Sequence, residues 1–213
     1  DEIHERIENM GVDTGKLWIG TIHSFCLEWI LKPYSIYHNA LSHGFRVINS
    51  HDSEKIFSKL CEPFKGQRIT FWDCGFYFTK DGYVLSCPDR SKHASLQLIL
   101  EQYFTILLKN RQIDFELLLY YAHELIAKNP SISILLSKLF HFILIDEYQD
   151  TKEIQYSIVA SILKAGKGKT KTFIVGDPNQ AIYQSLGGYP ISASIFKSMA
   201  EIELNELELS QNY

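Results

Sequence analysis

An α/β fold built on a parallel sheet is the class this sequence predicts, and three observations lead there. Residues 142–145 (F-I-L-I) form a short apolar run that ends in Asp146 and Glu147, with Asp150 close behind. Residues 172–175 (T-F-I-V) form a second apolar run that ends in Gly176, Asp177 and Pro178. About thirty residues separate the two acidic ends, and a stretch with helical spacing joins the runs. Short apolar runs bounded by turn residues fit parallel strands buried on both faces, and a strand–helix–strand unit connects such neighbours. The acids then lie at the carboxyl ends of the strands, where open α/β sheets bind ligands.

The other elements follow in chain order. Residues 1–10 read as a helix stopped near Gly11. Residues 17–21 read as a strand, and 24–31 as a helix with Ser24 as a candidate N-cap, closed before Pro33. Ser50, His51, Asp52 and Ser53 resemble a cap for a short helix at 54–60. Residues 69–86 are rich in aromatics, and Asp81-Gly82 between two β-prone runs predicts a hairpin, F-Y-F-T-K-D-G-Y-V-L. Helices are expected at 94–109 and 114–128, with a short one before Phe140. After the strand at 142 come a helix at 152–164, the strand at 172, a helix at 192–200 and a strand at 204–209. Residues 1–44 and 113–213 then form one core, and 45–112 an inserted, mainly helical subdomain carrying the hairpin.

Bulk properties narrow the class. With 213 residues and 46% hydrophobic content, the chain can fill one good core plus a subdomain. The formal net charge of −4 argues against coating a long duplex, though a narrow single-strand channel depends on local charge. No apolar run is long enough for a bilayer and no signal peptide is visible, so the reading is cytoplasmic, with no membrane partner. Cys26, Cys61, Cys74 and Cys87 include no C-x-x-C pair, so reduced, structural cysteines are expected over a zinc site or a disulfide framework.

The acids carry the chemistry. Two adjacent carboxylates past a strand suit nucleotide hydrolysis, one holding Mg²⁺ through waters and the other orienting or deprotonating the attacking water. The alternative is a strand that happens to end in acidic residues. In the second unit, Gln180 can sense a γ-phosphate without adding negative charge, and Tyr183 can offer a face for base stacking. A solvated Gln and a packed Tyr are the plainer alternatives.

At this point the chain resembles UvrD/Rep/PcrA-type superfamily 1 DNA helicases. D-E-Y-Q-D-T (146–151) looks like their Walker B element and G-D-P-N-Q-A-I-Y (176–183) like their motif III. In the same order, W-I-G-T-I-H-S-F-C (18–26) is similar to the segment that begins G-T-F-H-S. I-D-F-E-L-L-L (113–119) is similar to the D-F-x-x-L-L helix, and L-E-L-S-Q-N-Y (207–213) to the start of motif IV. The opening D-E-I-H-E-R-I looks like the helix after the family's T-N-K-A-A motif. The resemblance implies a P-loop NTPase (RecA-like) sheet, with residues 45–112 in the place of the accessory 1B domain. The hairpin departs from that domain's usual helical pattern. It could contact DNA, dock a partner or be purely structural.

By resemblance, Asp146 is the Mg²⁺ carboxylate and Glu147 the catalytic base, with Gln180 at the γ-phosphate or attacking water. Gln149 and Asp150 link the nucleotide site to motif III, Asp177 lies on the nucleotide side, and Tyr213 matches the tyrosine that stacks on adenine. Thr21, His23, Ser24 and Tyr183 match residues on the single-stranded DNA side, although an N-cap and a hydrogen-bonded core histidine are plainer roles for Ser24 and His23. The cofactors implied are ATP and Mg²⁺.

Two departures matter. No G-x-x-x-x-G-K-[ST] occurs. Gly166-Lys167-Gly168-Lys169-Thr170 imitates its tail, but Leu163 stands where the first glycine belongs, and the segment precedes a strand. It reads as a flexible basic turn. The phosphate loop is expected upstream of residue 1 and the motif IV arginine just after Tyr213, so the fragment alone is expected to be inactive. Motif III usually continues with an aromatic and an arginine, whereas Ser185 and Leu186 stand here. That predicts a weaker grip on the strand or a weaker coupling of ATP to DNA, because base–aromatic stacking contributes roughly 1–3 kcal/mol per base.

The leading expectation is an ATP-dependent helicase or translocase moving 3′ to 5′ on single-stranded DNA. A helicase-like ATPase subunit regulating a partner nuclease, as in a helicase–nuclease or phage-defence complex, is the alternative. A non-enzymatic DNA-binding scaffold is a third, disfavoured by Asp146, Glu147 and Gln180.

Overall fold

A computed structural model of the chain describes residues 2–11, 13–180, 188 and 191–208. Helix α1 spans Glu2–Asn9 and stops at Gly11, whose φ of 75° suits a residue without a Cβ. Residues 17–21 do not form the predicted strand. Leu17 N bonds back to Thr14 O at 2.9 Å, and Trp18 folds onto the next helix, edge to face with Phe25 and donating from Nε1 to Glu28 Oε2 at 3.0 Å. No ladder among the described residues includes this segment.

Helix α2 (Ile22–Phe25) is capped by Thr21, whose side chain accepts from Ser24 N, so Ser24 is not the N-cap. A π-helical turn, Cys26–Leu31, follows and leads into α3 (Lys32–Tyr34). The helix therefore runs through Pro33 instead of closing before it. Lys32 N reaches back five residues to Leu27 O, and this widened turn accommodates a ring that would crowd a regular helix.

Strand β1 (Arg46–Val47) leads into helix α4 (Ser50–Leu60). This helix starts earlier than predicted because Asn49 supplies the cap, accepting from Asp52 N. The predicted hairpin is present as β2 (Phe76–Thr79) and β3 (Gly82–Leu85), antiparallel, with Thr79 opposite Gly82. Helix α5 (His93–Lys109) returns the chain to β4 (Gln112–Ile113), which pairs in parallel with β1, Arg46 opposite Gln112. The long excursion thus leaves and re-enters at one point. Its aromatics are packed together: Phe57 stacks on Tyr103 at 4.0 Å, and Phe76, Phe78 and Tyr83 surround Phe104.

Helices α6 (Phe115–Lys128) and α7 (Pro130–Leu139) precede strand β5 (Phe142–Ile145), helix α8 (Glu153–Gly166) and strand β6 (Lys171–Ile174). β5 and β6 pair in parallel, Leu144 opposite Phe173, as the two apolar runs predicted. Their ladder is two-stranded among the described residues, so the protein is mixed α/β with small sheets. The 166–170 turn is less free than predicted. Thr170 is buried and donates to Ser137 O at 2.9 Å, and a Cβ on Gly166 would lie 2.6 Å from Thr170 Oγ1. Helix α9 (Ala193–Ala200) closes the described fold, and residues 204–208 do not form the predicted strand.

Two apolar clusters hold these elements. The larger runs from Phe25 through the 45–112 segment to Ile162, so the core is continuous across residue 112. The smaller gathers Tyr156, Val159, Ala160, Leu163, Ile191, Phe196 and Ala200. All four cysteines are free and buried, yet Cys61 and Cys74 bring their sulfurs to 3.4 Å. Burial pushes both thiols up, which favours their protonated form.

The aspartate of the D-F-E-L-L helix has a structural role. Asp114 caps α6 by accepting from Leu117 N at 2.8 Å and also accepts from the Tyr103 hydroxyl at 2.7 Å. Burial raises its carboxyl above the ordinary value of 3.8. The folded state therefore binds this proton more tightly than the unfolded state, and the Asp114 contribution to stability declines as pH rises from about 3.8 through the folded-state value. Urea unfolding across pH 4 to 7 is expected to show Asp114→Asn gaining on the wild type as pH rises. Asp114→Ala, which loses the cap and leaves the Tyr103 hydroxyl with Ser53 Oγ as its remaining partner, is expected to cost about 1–2 kcal/mol. A pH-independent difference for Asp114→Asn would contradict the assignment.

Candidate functional site

The site is built where β5 and β6 end side by side. Val175 N bonds to Ile145 O at 2.9 Å and Tyr148 N to Val175 O at 3.0 Å, so the ladder continues past the strands and fixes the two turns together. Asp146 and Glu147 emerge exposed from β5. Glu147 has φ 51°, the left-handed region that is unfavourable for a residue with a Cβ. Asp146 Oδ1 accepts Glu147 N at 3.0 Å within that turn.

Gln149 joins the two strand ends. Its side chain is buried, with Nε2 donating to Glu147 Oε2 at 2.6 Å and Oε1 accepting Asp177 N at 3.0 Å. Asp177 orders the second turn, accepting from Asn179 N at 2.9 Å and from Gln180 Nε2 at 3.2 Å. Those bonds hold its carboxyl below the ordinary range. Gly176 is what allows the approach. A Cβ there would lie 2.2 Å from Gln149 Oε1 and 2.8 Å from Tyr148 N.

Among the described residues no group of three or more His, Cys, Asp or Glu side chains gathers to hold a metal ion, so a cation here would rest on few protein oxygens. Asp146 keeps Oδ2 without a protein partner among the described residues, and Asp150 Oδ1 is buried with none. Mg²⁺ uses one or two carboxylates, with waters and phosphate oxygens completing its shell. Asp146 fits that role.

Thr21, His23 and Ser24 share one turn. Thr21 and Ser24 approach through their hydroxyls at 3.1 Å. Ile22 packs against the same buried cluster as Ile145 and Tyr148. His23 lies edge to face on Phe115 at 5.5 Å. Burial lowers its pKa, Glu116 opposes that shift and Lys152 adds to it.

With this geometry in view, residues 1–197 match the UvrD/REP helicase N-terminal domain. The chain belongs to that family. It is 27% identical over 208 residues to the ATP-dependent DNA helicase Rep of Buchnera aphidicola, covering 93% of this chain and 31% of that protein. It is 28% identical to DNA helicase II of Haemophilus influenzae (92% of this chain, 27% of the relative) and of Escherichia coli K12 (85% and 26%). The chain thus spans less than a third of the length of these curated relatives.

Asp146, Glu147, Gln149, Asp150, Asp177 and Gln180 meet in this family member at one edge. Thr21, His23 and Ser24 form a separate turn nearby. Tyr183, Tyr213, Ser185 and Leu186 lie outside the described residues. Sequence reasoning missed Glu116 and Lys152, which ion-pair beneath His23. They are 36 residues apart, and only the packing of α6 on α8 joins them. Gly176→Ala is expected to cost about 2 kcal/mol in chemical unfolding, because the clash is partly with backbone. A variant as stable as the wild type would show that the turns separate easily and would sink the bridge through Gln149.

Proposed function

We propose that this chain is the part of an ATP-dependent DNA helicase or translocase that hydrolyses ATP beside a single-stranded DNA path. The observation that carries the reading is Gln149, which links Glu147 to the Asp177–Gln180 turn through two hydrogen bonds of one buried side chain. A group that must deprotonate water benefits from such fixing, since it has to be held within hydrogen-bond reach of its target. Family membership supplies the reaction class. The three helicase names among the relatives favour this reading over a nuclease-regulating subunit.

Each residue then has a task. Glu147 holds one oxygen on Gln149 and turns the other to the attacking water, taking its proton. Asp146 would hold Mg²⁺, which when bound neutralises phosphate charge. Gln180 is exposed at the facing turn and addresses the γ-phosphate. Asp150 and Asp177 order the nucleotide side, and Tyr213 would stack on adenine. In this reading β5 and β6 are neighbours in a larger RecA-like sheet, and a second layer covers their exposed face. Thr21, His23, Ser24 and Tyr183 line the strand path, residues 45–112 form the accessory subdomain, and movement runs 3′ to 5′ in the cytoplasm.

The test uses the full-length protein. ATP turnover is expected to rise on adding single-stranded DNA, and Glu147→Gln to lower it by at least about 100-fold while ATP still binds. Turnover that persists in Glu147→Gln removes the base assignment. Turnover indifferent to DNA removes the translocase.

A further inference from the structure

Four parts of the molecule converge on one ion pair. Glu116, in the first turn of α6, pairs through Oε1 with Lys152 Nζ, and its Oε2 accepts Phe78 N from strand β2 at 3.2 Å. Lys152 directly follows the D-E-Y-Q-D-T turn and leads into α8. Its backbone forms an isolated antiparallel bridge with Gly188, beyond Tyr183 in the chain. His23 lies on Phe115, the neighbour of Glu116, and feels both charges.

The hairpin is held at further points along the same helices. Phe78 stacks on Tyr120 at 4.3 Å, one helical turn along α6 from Glu116, and Lys80 reaches Glu153 at 3.6 Å.

We propose that Glu116 and Lys152 are positioning residues that couple the acidic turn carrying Glu147 to the strand-side turn at Thr21–Ser24 and to the β2–β3 hairpin. The inference rests on the proposed function. Its physical basis is the sharing of one carboxylate. Glu116 serves an ammonium rooted next to the nucleotide turn and a backbone N–H rooted in the hairpin, so displacement of either alters the other. The side chains are only 18% and 20% exposed, where charges are weakly screened and an abandoned partner is strongly disfavoured. Neither residue reaches the reacting atoms. Their effect is on where Lys152 holds the end of the Asp146–Thr151 turn.

The experiment measures ATP turnover by the full-length protein with and without single-stranded oligothymidylate, in Glu116→Gln, Lys152→Met, their combination and the charge-swapped Glu116→Lys/Lys152→Glu. Glu116→Gln keeps an acceptor for Phe78 N while removing the charge. Each single variant is expected to retain basal kcat and lose the DNA-stimulated increment by about tenfold. The combination should lose no more than either single change, and the swap should restore part of it. A merely structural role would lower basal and stimulated rates together, and that result overturns the proposal. Intact DNA stimulation in the single variants overturns it as well.

A second readout is independent of turnover. In protein labelled at histidine, the His23 titration should move down in Glu116→Gln and up in Lys152→Met, following the charges removed. An unmoved titration overturns the placement of the pair. Absence of DNA-stimulated turnover in the wild type is a different failure: it overturns the proposed function, and the coupling role falls with it.

Discussion

Helix α8 is the constraint on which the rest of the fold depends. Ile154, Ile158 and Ile162, spaced four apart, face the larger apolar cluster. Tyr156, Val159, Ala160 and Leu163 face the smaller one. A helix apolar on both sides is a core helix, and its position cannot shift without opening two interfaces at once. Its N-terminus is therefore a fixed point. The Asp146–Thr151 turn is held between that point and strand β5, and Tyr156, from within α8, donates its hydroxyl to Tyr148 O to fasten the turn from below.

That anchoring explains how an unfavourable backbone persists at Glu147. A left-handed conformation for a residue with a Cβ costs on the order of 1–3 kcal/mol and survives only where its surroundings determine it. Here the bonds from Tyr148 N to Val175 O, from Glu147 N to Asp146 Oδ1 and from Asp177 N to Gln149 Oε1 leave the chain little alternative. Rigidity of this kind favours a base that must meet a water in one orientation.

Much of this was legible in the sequence because it is local. Apolar runs closed by acids gave the β5–α8–β6 unit, and Asp81-Gly82 between β-prone runs gave the hairpin. Errors fell where a distant or subtle partner decides. Residues 17–21 have strand composition, but Trp18 closes on Phe25 and Glu28. Pro33 looked like a stop, yet a π-helical turn accommodates it. Thr21 took the cap from Ser24 because only its hydroxyl faces the free N–H. At the candidate site, the acids and Gln180 were visible as residue types at a strand end. The link from Gln149 to the 176–183 segment was implied by the family resemblance, and its bonds to Glu147 and Asp177 give it form. The Glu116–Lys152 pair depends on tertiary packing, to which no spacing rule points.

One discrepancy between sequence and surroundings is informative. F-I-L-I and T-F-I-V are nearly continuous apolar runs, the pattern of strands covered on both faces. In the described fold only one face is covered. Ile143, Ile145 and Ile174 pack inward, whereas Phe142 is 70% exposed, Leu144 69% and Phe173 62%. Burying each such side chain contributes about 1.5–3 kcal/mol. A sheet meant to face water would alternate apolar with polar residues and leave that stabilisation unused. The pattern therefore argues that these strands are shaped for a second layer. The relatives, of which this chain covers less than a third, have ample chain to supply one. In the proposed RecA-like arrangement, that layer would brace β5 and β6 from the side opposite α8, and the acidic turn would then be held from both faces of the sheet.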